Sequence, residues 1–184
     1  MKKFARNMLF TAGFLLLHVF YAHAIENINM EIQKNNSFLT VKAHIIPSQE
    51  FIDDFKNGLS KNILILVELY RKWSIIPDEF ISGVQIQRIL IPDPIKDEFI
   101  IKTLEGDRLT EKRFKNWQEA LDWALKTEPI KIANINNVDR GKYYIKITVE
   151  SNIKKLPSVL EHILFFIPTY EKKITKESES FRLP

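Results

Sequence analysis

Side chains able to do chemistry are few in this chain and scattered. Beyond residue 24 the imidazoles are His44 and His162. A zinc site needs ligands that one turn or one helix face presents together, as in His-x-x-x-His, and no such spacing occurs. A serine nucleophile needs a tight strand-to-helix elbow, commonly Gly-x-Ser-x-Gly. Ser82-Gly83 is the nearest match and lacks the flanking glycine, while Ser48 and Ser158 stand where helix caps belong. The five glycines never gather into a phosphate-cradling run. Cysteine is absent, which removes disulfides, thiolate nucleophiles and thiolate metal sites. Asp53 and Asp54 are neighbours on a predicted helix and point about 100° apart, so they do not form a facing acid–base pair. Asp93, Asp97 and Glu98 gather at a hairpin end, where solvation accounts for them and an oxygen-ligand calcium site is the minor alternative. No catalytic, cofactor-binding or metal-ligating residue is assigned.

The aromatic residues are more informative. Trp73 follows Tyr70-Arg71-Lys72, a mixture that can stack on a sugar or an anion, although aromatics at strand ends also commonly cover the rim of a core. Trp117 and Trp123 are six residues apart, about 240° around a helix, so one is expected inward and the other nearer solvent. Trp123 and the "ILFFI" stretch with Phe165 and Phe166 are then candidates for an apolar patch facing a partner or lipid, against burial on the sheet as the alternative. The candidate partner or ligand surface is therefore Trp73, Trp123, Phe165 and Phe166.

The N-terminus gives an address. Lys2, Lys3 and Arg6 precede Met8 to Phe20, a 13-residue apolar run broken only by Thr11 and His18, and Tyr21-Ala22-His23-Ala24 follows. A basic start, a short apolar middle and small residues at −3 and −1 make a secretory signal peptide, expected to be cut between Ala24 and Ile25. A spanning helix needs about 20 apolar residues, and this run falls short. An uncleaved inner-membrane anchor is the alternative. The formal charge is +4; removing three of the 27 cationic residues with the leader leaves 24 against 23 acidic, a net of +1. Nucleic-acid binding needs a concentrated positive face, which a near-neutral exported domain does not offer.

Residues 25–184 have the length of one domain, with no linker and no internal repeat. Period-two alternation predicts a hairpin from "INMEI" and "LTVKAHI" around Lys34–Ser37. Ser48 and Gly58 bracket a short helix with Phe51, Ile52 and Phe55 on one stripe. The unbroken apolar run Ile63–Val67 predicts a central strand covered on both faces. Val84 and Ile86 continue into a strand whose apolar phase slips at Arg88, which suggests a bulge. Phe99 and Ile101 start another strand, Glu105-Gly106-Asp107 turns it, and Arg108 to Phe114 makes a polar edge. Asn116 and Glu119 box the start of a helix that Pro129 ends. Tyr143, Ile145, Ile147 and Val149 predict a long strand. Residues 158–167 suit a short helix or a strand, and "SFRLP" a closing strand. Seven or eight strands with two or three helices predict a mainly β protein, an antiparallel sandwich of immunoglobulin-like general architecture decorated by short helices. The alternative is an α+β sheet with helices on one face.

The leader, "DDFKNGLSKNILILVELYR" (Asp53–Arg71), "RFKNWQEAL" (Arg113–Leu121), "LPSVLEHILFFI" (Leu156–Ile167) and "ESESFRL" (Glu177–Leu183) together resemble the bacterial family of domain of unknown function 4390. The chain departs from that pattern at Tyr170 and Phe181, where tryptophans are expected. The resemblance implies an exported bacterial protein and offers no catalytic residue to carry over. The expected function is a non-enzymatic periplasmic module that binds an envelope or membrane protein, with membrane contact only transient or peripheral. A carrier of an apolar or lipid ligand is the alternative. A hydrolase would need His44 or His162 beside a carboxylate.

Overall fold

The computed structural model describes residues 25–35, 37–153 and 172–183. The targeting segment with Ala24, the element expected over 158–167, His162, Ser158, Phe165 and Phe166 lie outside the described residues.

Alternation builds the first hairpin. Strand β1 (Ile25–Lys34) pairs antiparallel with β2 (Phe38–Pro47), in register from Ile28↔Ile45 to Lys34↔Leu39. The turn closes because Asn35 Oδ1 accepts from the backbone N–H groups of Ser37 at 3.0 Å and Phe38 at 2.6 Å, the local capping that asparagine favours. Leu39, Val41, Ala43 and Ile45 are buried, while Thr40, Lys42 and His44 stay partly exposed. Helix α1 (Gln49–Lys56) begins where Ser48 Oγ accepts from Phe51 N at 3.2 Å, and it ends before Gly58 at φ +87°. It buries Phe51 and Phe55.

The chain continues through β3 (Lys61–Arg71), β4 (Glu79–Asp93), β5 (Glu98–Glu105), β6 (Arg108–Phe114), α2 (Trp117–Leu125), β7 (Ile130–Asn134), a 3₁₀ turn (Ile135–Asn137), β8 (Gly141–Ile153), β9 (Lys172–Glu177) and β10 (Phe181–Leu183). One sheet has the order β1-β2-β7 and the other β10-β8-β3-β4-β5-β6, with β9 beside β10 on the same edge of β8. All pairings are antiparallel, so the protein is mainly β and sandwich-like, with two α-helices added among the described residues. No helix among these residues is long and apolar enough to cross a membrane.

The core lies between the sheets. Ile63, Ile65, Val67 and Leu69 of β3 and Ile145, Ile147 and Val149 of β8 meet Ile28, Leu39, Val41 and Ile45 from the small sheet. The two helices add Phe51, Phe55, Ala120, Leu121, Ala124 and Leu125 to the same cluster. Each fully buried aliphatic side chain contributes roughly 1.5–3 kcal/mol. After α2, whose start is capped by Asn116 Oδ1 accepting from Gln118 N at 2.7 Å, the chain runs along the β7 side of β2, beyond the stretch that β7 itself pairs. There Thr127 N donates to Ala43 O at 2.9 Å, and Ala43 N donates to Thr127 Oγ1 at 2.8 Å.

One expectation is met unequally on two faces and another needs correction. β3 is central in its sheet, and its faces are covered to different degrees: Ile63, Ile65 and Val67 are fully buried, while Leu64 and Leu66 are half-buried. Among the described residues both helices and the small sheet join the core on the first face. β4 does not bulge at Arg88. Its register with β3 slips instead between Leu69 and Tyr70, opposite Ser82 and Phe80. The apolar phase is confused because Arg88 itself takes the inward position between Ile86 and Leu90, and Ile89 and Ile91 sit on the other side.

Strands β7 and β9 are additions to the expected set, and β10 is the closing strand anticipated from "SFRLP". Between β9 and β10, Ser178 N donates to Ile145 O at 2.8 Å, and Ser178 Oγ accepts from Ile145 N at 2.9 Å. A side-chain oxygen thus stands in for one rung of the ladder.

Candidate docking surface at the β3–β4 hairpin

β3 and β4 are joined by residues 72–78, a loop anchored by polar contacts at its base. Asp78 Oδ1 accepts from Trp73 N at 3.0 Å, and Glu79 Oε2 accepts from Trp73 Nε1 at 3.3 Å. The Arg71 guanidinium lies 4.4 Å from the centre of the indole ring. Arg71 is itself held, donating to Asp139 Oδ2 at 3.2 Å and Arg140 O at 2.9 Å. Lys72 N donates to Lys142 O at 2.7 Å. Gly141 permits this approach: a Cβ there would stand 2.9 Å from Arg71 Nε.

Above that base the loop presents apolar side chains to solvent. Ile75 is 96% exposed, Ile76 58% and Phe80 55%, beside an exposed Trp73. Phe80 packs edge-on to Tyr70 with ring centres 5.7 Å apart, and Tyr70 stacks on Tyr144 at 5.5 Å. Phe80 lies where it does because Gly83 has no side chain; a Cβ would meet its ring at 3.2 Å. Burial, and then the Asp78 carboxylate, push the Tyr144 hydroxyl up to about 12. Burial, and then Glu68, also raise that of Tyr70. Both phenols are neutral at physiological pH, and the Lys146 ammonium stands 5.5 Å from the centre of the Tyr70 ring, so the patch is aromatic with a cation against it. Around it Arg71, Lys72, Arg140 and Lys142 alternate with Asp78, Glu79 and Asp139. An apolar centre inside a rim of both charge signs is the anatomy of a protein-binding surface, with tryptophan and arginine the residues most often dominant.

Of the residues singled out from sequence, Trp73 sits here and Trp123 does not. Trp123 lies on α2, near Arg88 of β4 and Lys112 of β6, with its ring centre 6.0 Å from that of Phe114. Trp117, expected on the opposite side, is also half-buried, under the Lys56 ammonium at 4.0 Å. Ile25 begins β1 and is buried opposite Pro47. Ile75, Ile76 and Phe80 were not anticipated; the signal available was "WSIIPDEF", three apolar residues placed among turn formers.

Other candidates resolve into ordinary contacts. Ser82 Oγ donates to Ile132 O at 2.7 Å, tying β4 to β7. Asp54 pairs with the buried Lys61. Glu98 pairs with Arg113 at 3.2 Å and Lys115 at 3.3 Å, and hydrogen bonds from Lys115 and then Arg113 hold its carboxyl below the usual range. Asp93 Oδ1 accepts from Lys96 N at 3.2 Å within the turn. Among the described residues no cluster of three or more His, Asp or Glu side chains is arranged to hold a metal ion. His44 lines a shallow cavity with Glu31 and Lys42, without a hydrogen bond to a carboxylate among those residues.

A family model described as "Domain of unknown function (DUF4390)" matches residues 22–179. No curated protein and no solved structure matches the chain.

Proposed function

The chain belongs to the DUF4390 family, and on that footing we propose that it is an exported, non-enzymatic interaction module of the periplasm. It binds an envelope or membrane protein through the β3–β4 hairpin. The observation that supports this reading is the outward display of Ile75, Ile76 and Phe80 on a base anchored by Arg71 and Trp73. A single apolar residue on a surface needs no explanation, but three exposed within six residues of one hairpin do. Its anchored base means that little of the loop has to order on binding, which lowers the entropic cost of association. Export is read from the basic, apolar and small-residue sequence of the first 24 residues.

The test is a photocrosslinking amino acid placed at Ile75, and separately at exposed Glu31 on the small sheet, in the native cell. A discrete adduct with an envelope protein is expected from position 75 and not from position 31, and Ile76→Asp should abolish it. No adduct at 75, or the same products from both positions, would overturn the proposal.

A further inference from the structure

A cavity of about 240 Å³ opens between the β4–β5–β6 part of the large sheet and the end of α2. Strand register sets its floor: Arg88, Thr103 and Thr110 form one cross-strand row, flanked by Glu105 opposite Arg108. Trp123 and Glu128 wall the far side.

Arg88 is 5% exposed, an uncommon place for an arginine. Its Nη1 donates to the carbonyl oxygens of Trp123 at 3.1 Å, Ala124 at 2.6 Å and Lys126 at 2.7 Å. The final carbonyls of a helix lack intrahelical donors, and a cation there also complements the helix dipole. Capping therefore explains one edge of the guanidinium. It does not explain the other. Arg88 Nε has no hydrogen-bond partner, and neither has Oγ1 of its cross-strand neighbour Thr103, which is 7% exposed. A buried donor left unpaired costs about 1–3 kcal/mol, and native structures leave few.

Both residues border the same cavity, and two more cations border it from β6. Arg108 and Lys112 form no ion pair among the described residues, and Lys112 Nζ stands 4.7 Å from the centre of the Trp123 ring. Three cations face Glu105 and Glu128, which leaves one unit of excess positive charge. Burial draws the Arg88 pKa down to about 10 against the opposing pull of Glu105 and Glu128, so it is charged at neutral pH.

We propose that this cavity is a binding site for a small oxyanion, a phosphate or carboxylate group, with the Arg88 guanidinium in its floor and Arg108 and Lys112 as the flanking cations; Arg88 Nε and Thr103 Oγ1 are sealed beneath that floor and are not themselves the contact atoms. A cavity of about 240 Å³ has room for phosphate or a short dicarboxylate. A planar guanidinium is the side chain best matched to such a group. The site lies on the α2 side of the sheet and does not depend on the hairpin.

The test titrates inorganic phosphate, and separately succinate, into the purified protein at constant ionic strength. The Arg88 Nε–H and Trp123 indole N–H resonances are followed by NMR. Saturable shifts of both with either anion are expected, and the better ligand identifies the anion class. Arg88 variants risk unfolding, so the discriminating variant is Arg108→Ala with Lys112→Ala, both on the edge strand. It should weaken binding about tenfold or more, as loss of a charge-assisted hydrogen bond implies, with the unfolding temperature unchanged. Lys34→Ala with Lys42→Ala, two lysines on the small sheet, is the charge-matched control and should bind normally. No saturable shift with either anion overturns the site, as does one equally weakened by that control, which would indicate an adventitious ion only.

Discussion

The hairpin between β3 and β4 and the cavity beside α2 invert the usual distribution of residues in opposite senses. At the hairpin, Ile75 is 96% exposed; beside α2, Arg88 is 5% exposed. Both lie on or next to the same strand, β4, which runs about 30 Å from Glu79 to Arg88. At the hairpin the backbone leaves the sheet, so apolar side chains have no layer to pack against. At the cavity the sheet is roofed by α2, and a charge is held because the open end of a helix supplies acceptors for it. The lesson is that polarity at a position is decided by what the neighbouring element lacks: a covering layer in one case, donors in the other. Exposed apolar groups invite a macromolecule; a half-satisfied buried charge invites a small polar ligand.

The comparison can be broken most directly at Arg88. Arg88→Met keeps volume and removes the donors, leaving three carbonyls of α2 uncapped. Urea unfolding should show a loss of about 2–4 kcal/mol. A neutral or stabilising result would mean that the guanidinium is not what secures α2. By contrast Ile75→Asp, together with Ile76→Asp, should leave stability within about 0.5 kcal/mol, as expected for surface positions. An effect between these two belongs to Gly141→Ala. Its Cβ would press on Arg71 Nε, loosening the stack on Trp73, with an expected cost of about 1 kcal/mol and a red shift of tryptophan emission. Unchanged emission would mean that Arg71 moves without disturbing the indole.

The finest distinction is in pH. Tyr144 has an unfolded value near 10 and a folded value of about 12, because burial disfavours the phenolate. Below pH 10 both states are protonated and stability is flat; between 10 and about 12 the unfolded state ionises first and stability falls. Tyr144→Phe should flatten part of that decline in unfolding midpoints measured across the window. An unaltered decline would assign it to other groups.

How much of this is legible in sequence depends on how many inward positions an element has. The β1–β2 hairpin, α1, α2 and β8 each place three or more apolar residues at the proper period, and all were readable. Strand β7 offers only Ile130 and Ile132 at alternate positions, and β9 only Ile174 among lysines, so neither stands out from a polar loop. In β4 the pattern misleads, because Ile89 and Ile91 on the outer face look more like a core phase than Ile86, Arg88 and Leu90 do. A charge in the inward register of a strand is visible only once the register is known. The candidate surface was half readable. Trp73 was marked by its cationic neighbours, whereas Ile75 and Ile76 carry no periodicity to distinguish exposure from burial.

The split between β9 and β10 bears on how the protein behaves in a crowded compartment. An outermost strand with all its amides and carbonyls free is a template on which further copies can add without limit. Here that border is short, carries Lys172, Lys173 and Lys176, and is interrupted where the Ser178 hydroxyl takes a main-chain position. The opposite border, β6, carries Arg108, Glu111, Lys112 and Arg113. Neither offers the long, flat, uncharged ribbon that fibril growth requires. Both borders of the larger sheet are therefore guarded against edge-to-edge growth, whatever the exposed side chains of the hairpin meet.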